Sequence, residues 1–478
     1  MRTESVDVCI VGSGAGGAVM AYELARRGLN VLVLEQGPRV SPDDFSQDEL
    51  SMIPRYYKDG GLQLNSSMDL FILQGSCVGG STVLSNMVML RPDNAVWQRW
   101  ALHGAEYDIA ALTPCFDEVA DELGVSYPHP DNVSKSSQRF YDSAAELGYA
   151  PQHMLKALGD CHGCGYCNVG CATGSKRDAA ATYIAWAERA GARVLAEAEV
   201  VTIEHRRAIA RAVVARVGRA RESLRVQAGL IVIAAGAIGS SGLLLKNGIR
   251  NNVGKRLSFN AGGMIVAEFD EPVDGHAADQ MTVYVKGAGY VIEATHNPPM
   301  SAALTTPGWQ QAHGDLMSRF RFLGYAGPLV ATEAVGEVFL DRLFGHEETR
   351  FRMTPRDLRT LKSGMRQAAQ IFFNAGATAV RLPTHRNVTL ASAKALPQIE
   401  QAFSSMREVA VGSAHPQGGN AISSDPRLGA VDEDLRVHGF DNLFVCDASV
   451  FPSCIGVNPI HTIMALSKLA APQIAAQV

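Results

Sequence analysis

Three sets of residues in this chain have the types and spacing to do chemistry. Near the C-terminus, His415 sits in Ala414-His415-Pro416-Gln417-Gly418-Gly419, and Asn458 sits in Gly456-Val457-Asn458-Pro459-Ile460-His461-Thr462. A neutral imidazole is an economical acceptor for a hydroxyl proton. Pro459 suits the first turn of a helix, whose free N–H groups and positive dipole end stabilise an anion. A histidine beside proline and glycines is ordinarily structural, but the Asn458-Pro459 helix start turns the reading of His415 towards a base. His461, one helical turn further on, is a second candidate, with capping or packing as the bland alternative. The second set is glycine-rich. Gly12, Gly14 and Gly17 fit G-x-G-x-x-G, and the stretch Gly75 to Asn86 carries Gly79, Gly80, Ser81 and Asn86; such loops cradle phosphates at helix N-termini. The third set is Cys161, Cys164, Cys167 and Cys171. Their C-x2-C-x2-C-x3-C spacing equals the bacterial ferredoxin run without its following proline, and thiolates so spaced wrap an iron–sulfur cluster, [4Fe–4S] or [3Fe–4S]. A structural cysteine-rich loop is the alternative. Zinc fits less well, because four ligands this close are tighter than the usual paired knuckles.

The elements that must position these groups read as α/β. Val6 to Val11 is a short apolar strand, followed by the glycine turn and an amphipathic run through Ala18, Tyr22 and Leu24 that ends at Arg26-Arg27-Gly28. A second strand, Val31 to Leu34, delivers Glu35 about twenty residues past the glycines, where an adenosine ribose is bound. The carboxylate suits an unphosphorylated ribose, hence FAD or NAD and not NADP. The loop at 75–86 lies too far along to belong to this first unit, and two separated loops fit a long, bipartite cofactor. Leu230 to Ala237 reads as a buried parallel strand ending at Gly236. Val445 ends another, so Asp447 emerges at a strand tip, where open α/β sheets place their ligand groups. Arg193 to Val200 reads as one strand, with a hairpin of Val213–Val217 and Leu224–Val226 after it. The arginines alternating there are a solvated strand face.

With Val78-Gly79-Gly80, Gly236-Ala237-Ile238-Gly239-Ser240 and the C-terminal His and Asn, the pattern resembles the glucose-methanol-choline (GMC) flavoprotein oxidoreductases over nearly the whole chain except roughly 265 to 410. The resemblance implies FAD, with Gly12, Gly14, Gly17, Glu35, Gly79, Gly80, Ser81, Asn86, Gly236, Asp447, Asn458 and Pro459 around it. It implies His415 as base and Asn458 as holder of the substrate oxygen. The hairpin resembles the β-meander of flavoproteins, which puts the backbone of Val200 against adenine. Ser76, Ser85 and Ser241 depart from the residues usual in the family. Members with covalent flavin carry His two residues before the position of Asn86, where this chain has Leu84, so the FAD is expected to be non-covalent. The segments around His415 and Asn458 most resemble the cholesterol-oxidase side. The cysteine segment resembles those of both iron–sulfur sugar dehydrogenases and long-chain alcohol oxidases, which leaves cluster and loop both open. The implied activity is oxidation of an alcohol by proton abstraction and hydride transfer to flavin N5, with oxygen or another electron acceptor as partner. An aliphatic middle region suggests an apolar alcohol. The alternatives are a non-oxidative FAD-containing lyase or decarboxylase, and an iron–sulfur electron-transfer flavoprotein.

Length and composition set the frame: 478 residues, 47% hydrophobic, can bury a large core in two or three domains. The expected division is a Rossmann-like FAD-binding domain with parallel sheet and β-meander, 1–261 and 412–478, and an α+β substrate domain with antiparallel sheet, 262–411. A net charge of −5 gives no nucleic-acid footprint. No apolar run reaches the ~20 residues that cross a bilayer, and Glu4 and Asp7 interrupt any signal-peptide core; the expected location is cytoplasmic. In such a compartment the clustered cysteines suggest metal before disulfides. Between 262 and 411, Met281 to Val285 alternates as an antiparallel strand. Thr354-Pro355-Arg356-Asp357 starts a helix whose Leu358, Leu361, Met365, Ala369 and Phe372 share a face until Gly376. Trp309, Phe320, Phe322 and Tyr325 are the aromatics expected nearest a pocket.

Overall fold

The computed structural model describes residues 2–478, a mixed α/β fold built on two sheets. The first has seven strands. Val31–Leu34 lies parallel between Arg193–Leu195 and Arg2–Val11, and Arg2–Val11 lies parallel to Glu222–Ile233, with Val8 opposite Leu230 and Val11 opposite Ile233. These strands are apolar on both faces because both are covered: Val8, Ile10, Val33 and Val232 are all fully buried. The first turn bends at Gly12, whose φ of 98° is left-handed and whose Cβ would stand 2.3 Å from the Ala234 carbonyl oxygen, so no other residue fits. Helix Ala15–Ala25 follows. It packs against the last helix, Ile460–Ala475.

Two expected elements are divided differently. The stretch 193–200 is broken at Glu197, which takes φ 53°, into Arg193–Leu195 in the parallel sheet and Ala198–Arg206 in the meander. Conversely, the hairpin return and the buried parallel strand are one continuous element, Glu222–Ile233. Its first half pairs antiparallel with Ile209–Val217, and its end, Ile231 to Ile233, pairs parallel with Leu443–Val445 on the same edge.

The second, thirteen-stranded sheet is mostly antiparallel and includes Met281–Gly287, Tyr290–Thr295 and Leu323–Ala331. Helix Pro355–Asn374 lies across it, opened by a reciprocal Thr354–Asp357 capping box, with Leu361, Met365, Ala369 and Phe372 buried. This sheet also draws strands from outside 262–411: Pro151–His153, Lys255–Gly262, Gly412–Ser413 and Pro416–Gly419. His415 therefore hangs between two short strands paired to Lys255–Gly262, while Asp447 follows a strand of the parallel sheet. The connection before residue 150 is three helices, Asn94–Ala101, Ile109–Leu123 and Lys135–Glu146, the last packed on the antiparallel sheet. The aromatic expectation fails. Trp309 is 75% exposed, Tyr325 is buried in a small separate cluster, and none of the four lines the cavity described below. No helix among the described residues is long and apolar enough to cross a membrane.

Candidate active site

A cavity of about 720 Å³ is walled by both glycine loops, by Glu35 and Val200, and by His415 and Asn458. Glu35 is buried at the tip of Val31–Leu34. It accepts the Ser13 main-chain N–H at 3.0 Å, the Ser13 hydroxyl at 2.7 Å and the Gly37 N–H at 2.9 Å. Burial pushes its carboxyl above the usual range despite those donors. The Ser13 hydroxyl also accepts the Gly79 N–H at 3.0 Å, which ties the first glycine loop to the second. Gly14 lines the cavity, and a Cβ there would meet no atom within 4 Å, so the cradle is open where a phosphate needs close approach. Gly80, Ser81, Asn86 and Gly236 are in the wall as well. Gly17 and Gly79 are not; they pack behind it, against the Gly12 carbonyl and Ala180.

Asp447 lines the cavity, but its oxygens are engaged by the chain: Gly236 N–H at 2.9 Å and the Ser240 hydroxyl on one, Ser449 N–H at 2.8 Å on the other. It fixes the start of helix Gly236–Lys246 to the tip of the parallel sheet.

His415 and Asn458 are brought together. Asn458 Nδ2 lies 3.4 Å from His415 Nε2, and because the amide nitrogen can only donate, Nε2 is the unprotonated, accepting atom. Burial lowers the imidazole pKa to about 4, so the ring is neutral at neutral pH. His415 Nδ1 and Asn458 Oδ1 are buried without a protein partner. Pro459 stands just before helix Ile460–Ala475, and it and Ile460 line the cavity. His461 is elsewhere. Its two ring nitrogens face the carbonyls of Met89 and Phe116 at 3.1 and 2.9 Å, and it is absent from the cavity wall, which is the packing reading.

Two residues that sequence reading missed complete this end. Asn260, 1% exposed, donates to the Val457 carbonyl at 2.7 Å, while its own carbonyl takes the Ser413 hydroxyl, which in turn accepts the His415 N–H at 3.0 Å. One residue thereby sets both the His415 and the Asn458 loops. Glu293, on Tyr290–Thr295, lines the cavity, and burial raises its carboxyl to about 7, a rise the Asn458 amide and Lys156 oppose. A carboxylate inside an apolar strand was the available signal.

The four clustered cysteines form no disulfide, and none lines the cavity, although Asn168 and Val169 between them do. Cys167 is buried, with its thiol raised to about 11. Among the described residues no three of these sulfurs lie within 4.8 Å of one another, so they are not gathered as one tetrahedral metal gathers its ligands. Buried Lys176 instead donates to the Cys167 carbonyl at 2.7 Å and the Val83 carbonyl at 2.6 Å.

Residues 53–261 match the N-terminal and 335–467 the C-terminal family model of the GMC oxidoreductases, and 10–69 match an NAD(P)-binding Rossmann-like domain. An uncharacterized GMC-type oxidoreductase of Mycobacterium tuberculosis is 29% identical over 99% of this chain and 76% of its own length. The long-chain-alcohol oxidase FAO3 of Arabidopsis thaliana is 27% identical over 98% of this chain and 68% of its own. Among solved structures, pyridoxine 4-oxidase from Mesorbium loti superposes with a TM-score of 0.75 at 18% identity, covering 98% of this chain and 99% of that one.

Proposed function

The chain belongs to the GMC oxidoreductase family, and from that premise we propose that it oxidises an apolar alcohol to a carbonyl compound, using non-covalently held FAD and passing the electrons to oxygen or another acceptor. The carrying observation is the neutral His415 imidazole facing the Asn458 amide across a shared cavity.

The residues present fit FAD: the open cradle at Gly14, Glu35 and Val200 on the same wall, and unpartnered Asn86 Oδ1 and Asn458 Oδ1 on residues that line it. Bound FAD supplies the hydride acceptor. A substrate hydroxyl placed between His415 and Asn458 donates its proton to Nε2 and accepts from Nδ2, so the amide steadies the oxygen as negative charge grows on it. Asn260 holds both loops at that spacing. Ile53, Leu62, Phe71, Leu73 and Leu304 line the same cavity, which supports an apolar substrate, as does the long-chain-alcohol oxidase among the relatives. We read the cysteine segment as a structural wall, because Lys176 and the side chains of Tyr57 and Gln280 hold its backbone at Cys167 and Asn168.

Anaerobic addition of a long-chain alcohol to the yellow protein is expected to bleach the flavin absorbance. A spectrum that stays oxidised with every alcohol tried overturns the proposal and favours a lyase-type reaction.

A further inference from the structure

We propose that Asn168, inside the cysteine segment, is a positioning residue that decides which end of the Asn86 amide is offered to the cavity. The inference rests on the reading of that cavity as a flavin and alcohol site. The two ends of an amide side chain are nearly alike in shape, so its partners decide which end points where. A main-chain N–H, by contrast, only donates. The Asn168 N–H donates to Gln280 Oε1 at 3.2 Å, which turns Gln280 Nε2 towards Asn297 Oδ1, also at 3.2 Å. The same Asn297 oxygen takes Asn168 Nδ2 at 3.5 Å, the longest link. Asn168 Oδ1 then remains to accept from Asn86 Nδ2, at 3.0 Å. Asn86 has only Oδ1 left, and that oxygen is buried with no protein partner. Reversing any one amide would set two donors or two acceptors against each other, so the polarity of the whole relay follows from one peptide group.

That peptide is held firmly. The Tyr57 hydroxyl donates to the Asn168 carbonyl at 2.7 Å, and the Lys176 ammonium joins the preceding carbonyl, of Cys167, to that of Val83, three residues before Asn86. Asn86, Asn168 and Asn297 all line the cavity. The group that Asn86 takes must therefore be a hydrogen-bond donor: a ring N–H of the isoalloxazine or the hydroxyl of the alcohol. A buried acceptor left unpaired costs stability, so its partner belongs to a bound molecule.

Asn168→Ala removes the group that orients Asn86, whereas Asn168→Asp keeps an acceptor for Asn86 Nδ2 and exchanges only the longest link, to Asn297 Oδ1, for an acceptor–acceptor contact at 3.5 Å. The test measures FAD dissociation by flavin fluorescence, and KM against kcat with alcohol, on both variants of the full chain. Asn168→Ala is expected to weaken one ligand about tenfold, and Asn168→Asp to recover most of the loss. A rise in FAD dissociation with KM unchanged identifies the ring N–H as the donor; a rise in KM alone identifies the hydroxyl. The inference is overturned if Asn168→Ala leaves FAD affinity unchanged with alcohol KM unchanged or unmeasurable, or if Asn168→Asp is as impaired as Asn168→Ala. The FAD titration needs no alcohol, so its failure is distinguishable from failure of the alcohol reading.

Discussion

The Glu35 side of the cavity, proposed to hold the nucleotide, and its His415 side, proposed to do the chemistry, are built on opposite principles. Glu35 and Asp447 are polar, buried and already satisfied: between them they accept hydrogen bonds from Ser13, Gly37, Gly236, Ser240 and Ser449. His415 Nδ1, Asn458 Oδ1 and Asn86 Oδ1 are buried and unsatisfied. The first arrangement stabilises the fold before any ligand arrives. The second leaves buried polar atoms without partners, which costs stability and is offset elsewhere in the fold. Substitutions on the two sides should therefore fail in different ways.

The largest expected effect is on the catalytic side. His415→Ala should slow flavin reduction by roughly a hundredfold or more while FAD stays bound; unchanged stopped-flow traces would remove the base assignment. On the nucleotide side, Ser13→Ala should destabilise the fold by about 1–3 kcal/mol in urea unfolding and loosen FAD, because it leaves the Gly79 N–H and part of Glu35 without a partner. Flavin that does remain bound should be reduced at the ordinary rate, and a slow rate there would blur the contrast.

Acidity separates the two further. The rate of flavin reduction should fall as pH drops through about 4, where His415 takes a proton. A second inflection near 7 belongs to Glu293 and should vanish in Glu293→Gln. The stability contributions run in opposite directions. That of His415, lowered from 6.5 to about 4, is complete above pH 6.5 and is lost as pH falls towards 4. That of Glu293, raised from 4.5 to about 7, is complete below pH 4.5 and is lost as pH rises through 7. The smallest effect concerns the cysteines: metal analysis of anaerobically purified protein should find fewer than about three irons per chain, since a cluster of the ferredoxin type needs at least that many.

What the sequence revealed was local. The first strand, the glycine turn, its helix and Glu35 lie within thirty-five residues and obey one rule of spacing. The capping box at Thr354 and Asp357 was legible for the same reason. Ser13, Asn260, Glu293 and Asn168 were not, because each acquires its role from partners far away in the chain: Asn260 meets Val457, and Asn168 meets Asn297. The break at Glu197 escaped notice because a left-handed glutamate carries no compositional mark. His461 shares the spacing of a catalytic residue, but its ring nitrogens face two carbonyls that only tertiary contact supplies.

The long strand Glu222–Ile233 keeps its last residues for a neighbour, Leu443–Val445, that leaves the ribosome more than two hundred residues later. Until then an apolar edge, Ile231 to Ile233, stays open on the growing polypeptide, and such edges recruit other chains. Nascent protein halted before Leu443 should therefore clump rather than wait, and chaperone demand during synthesis should end with the arrival of that short C-terminal strand.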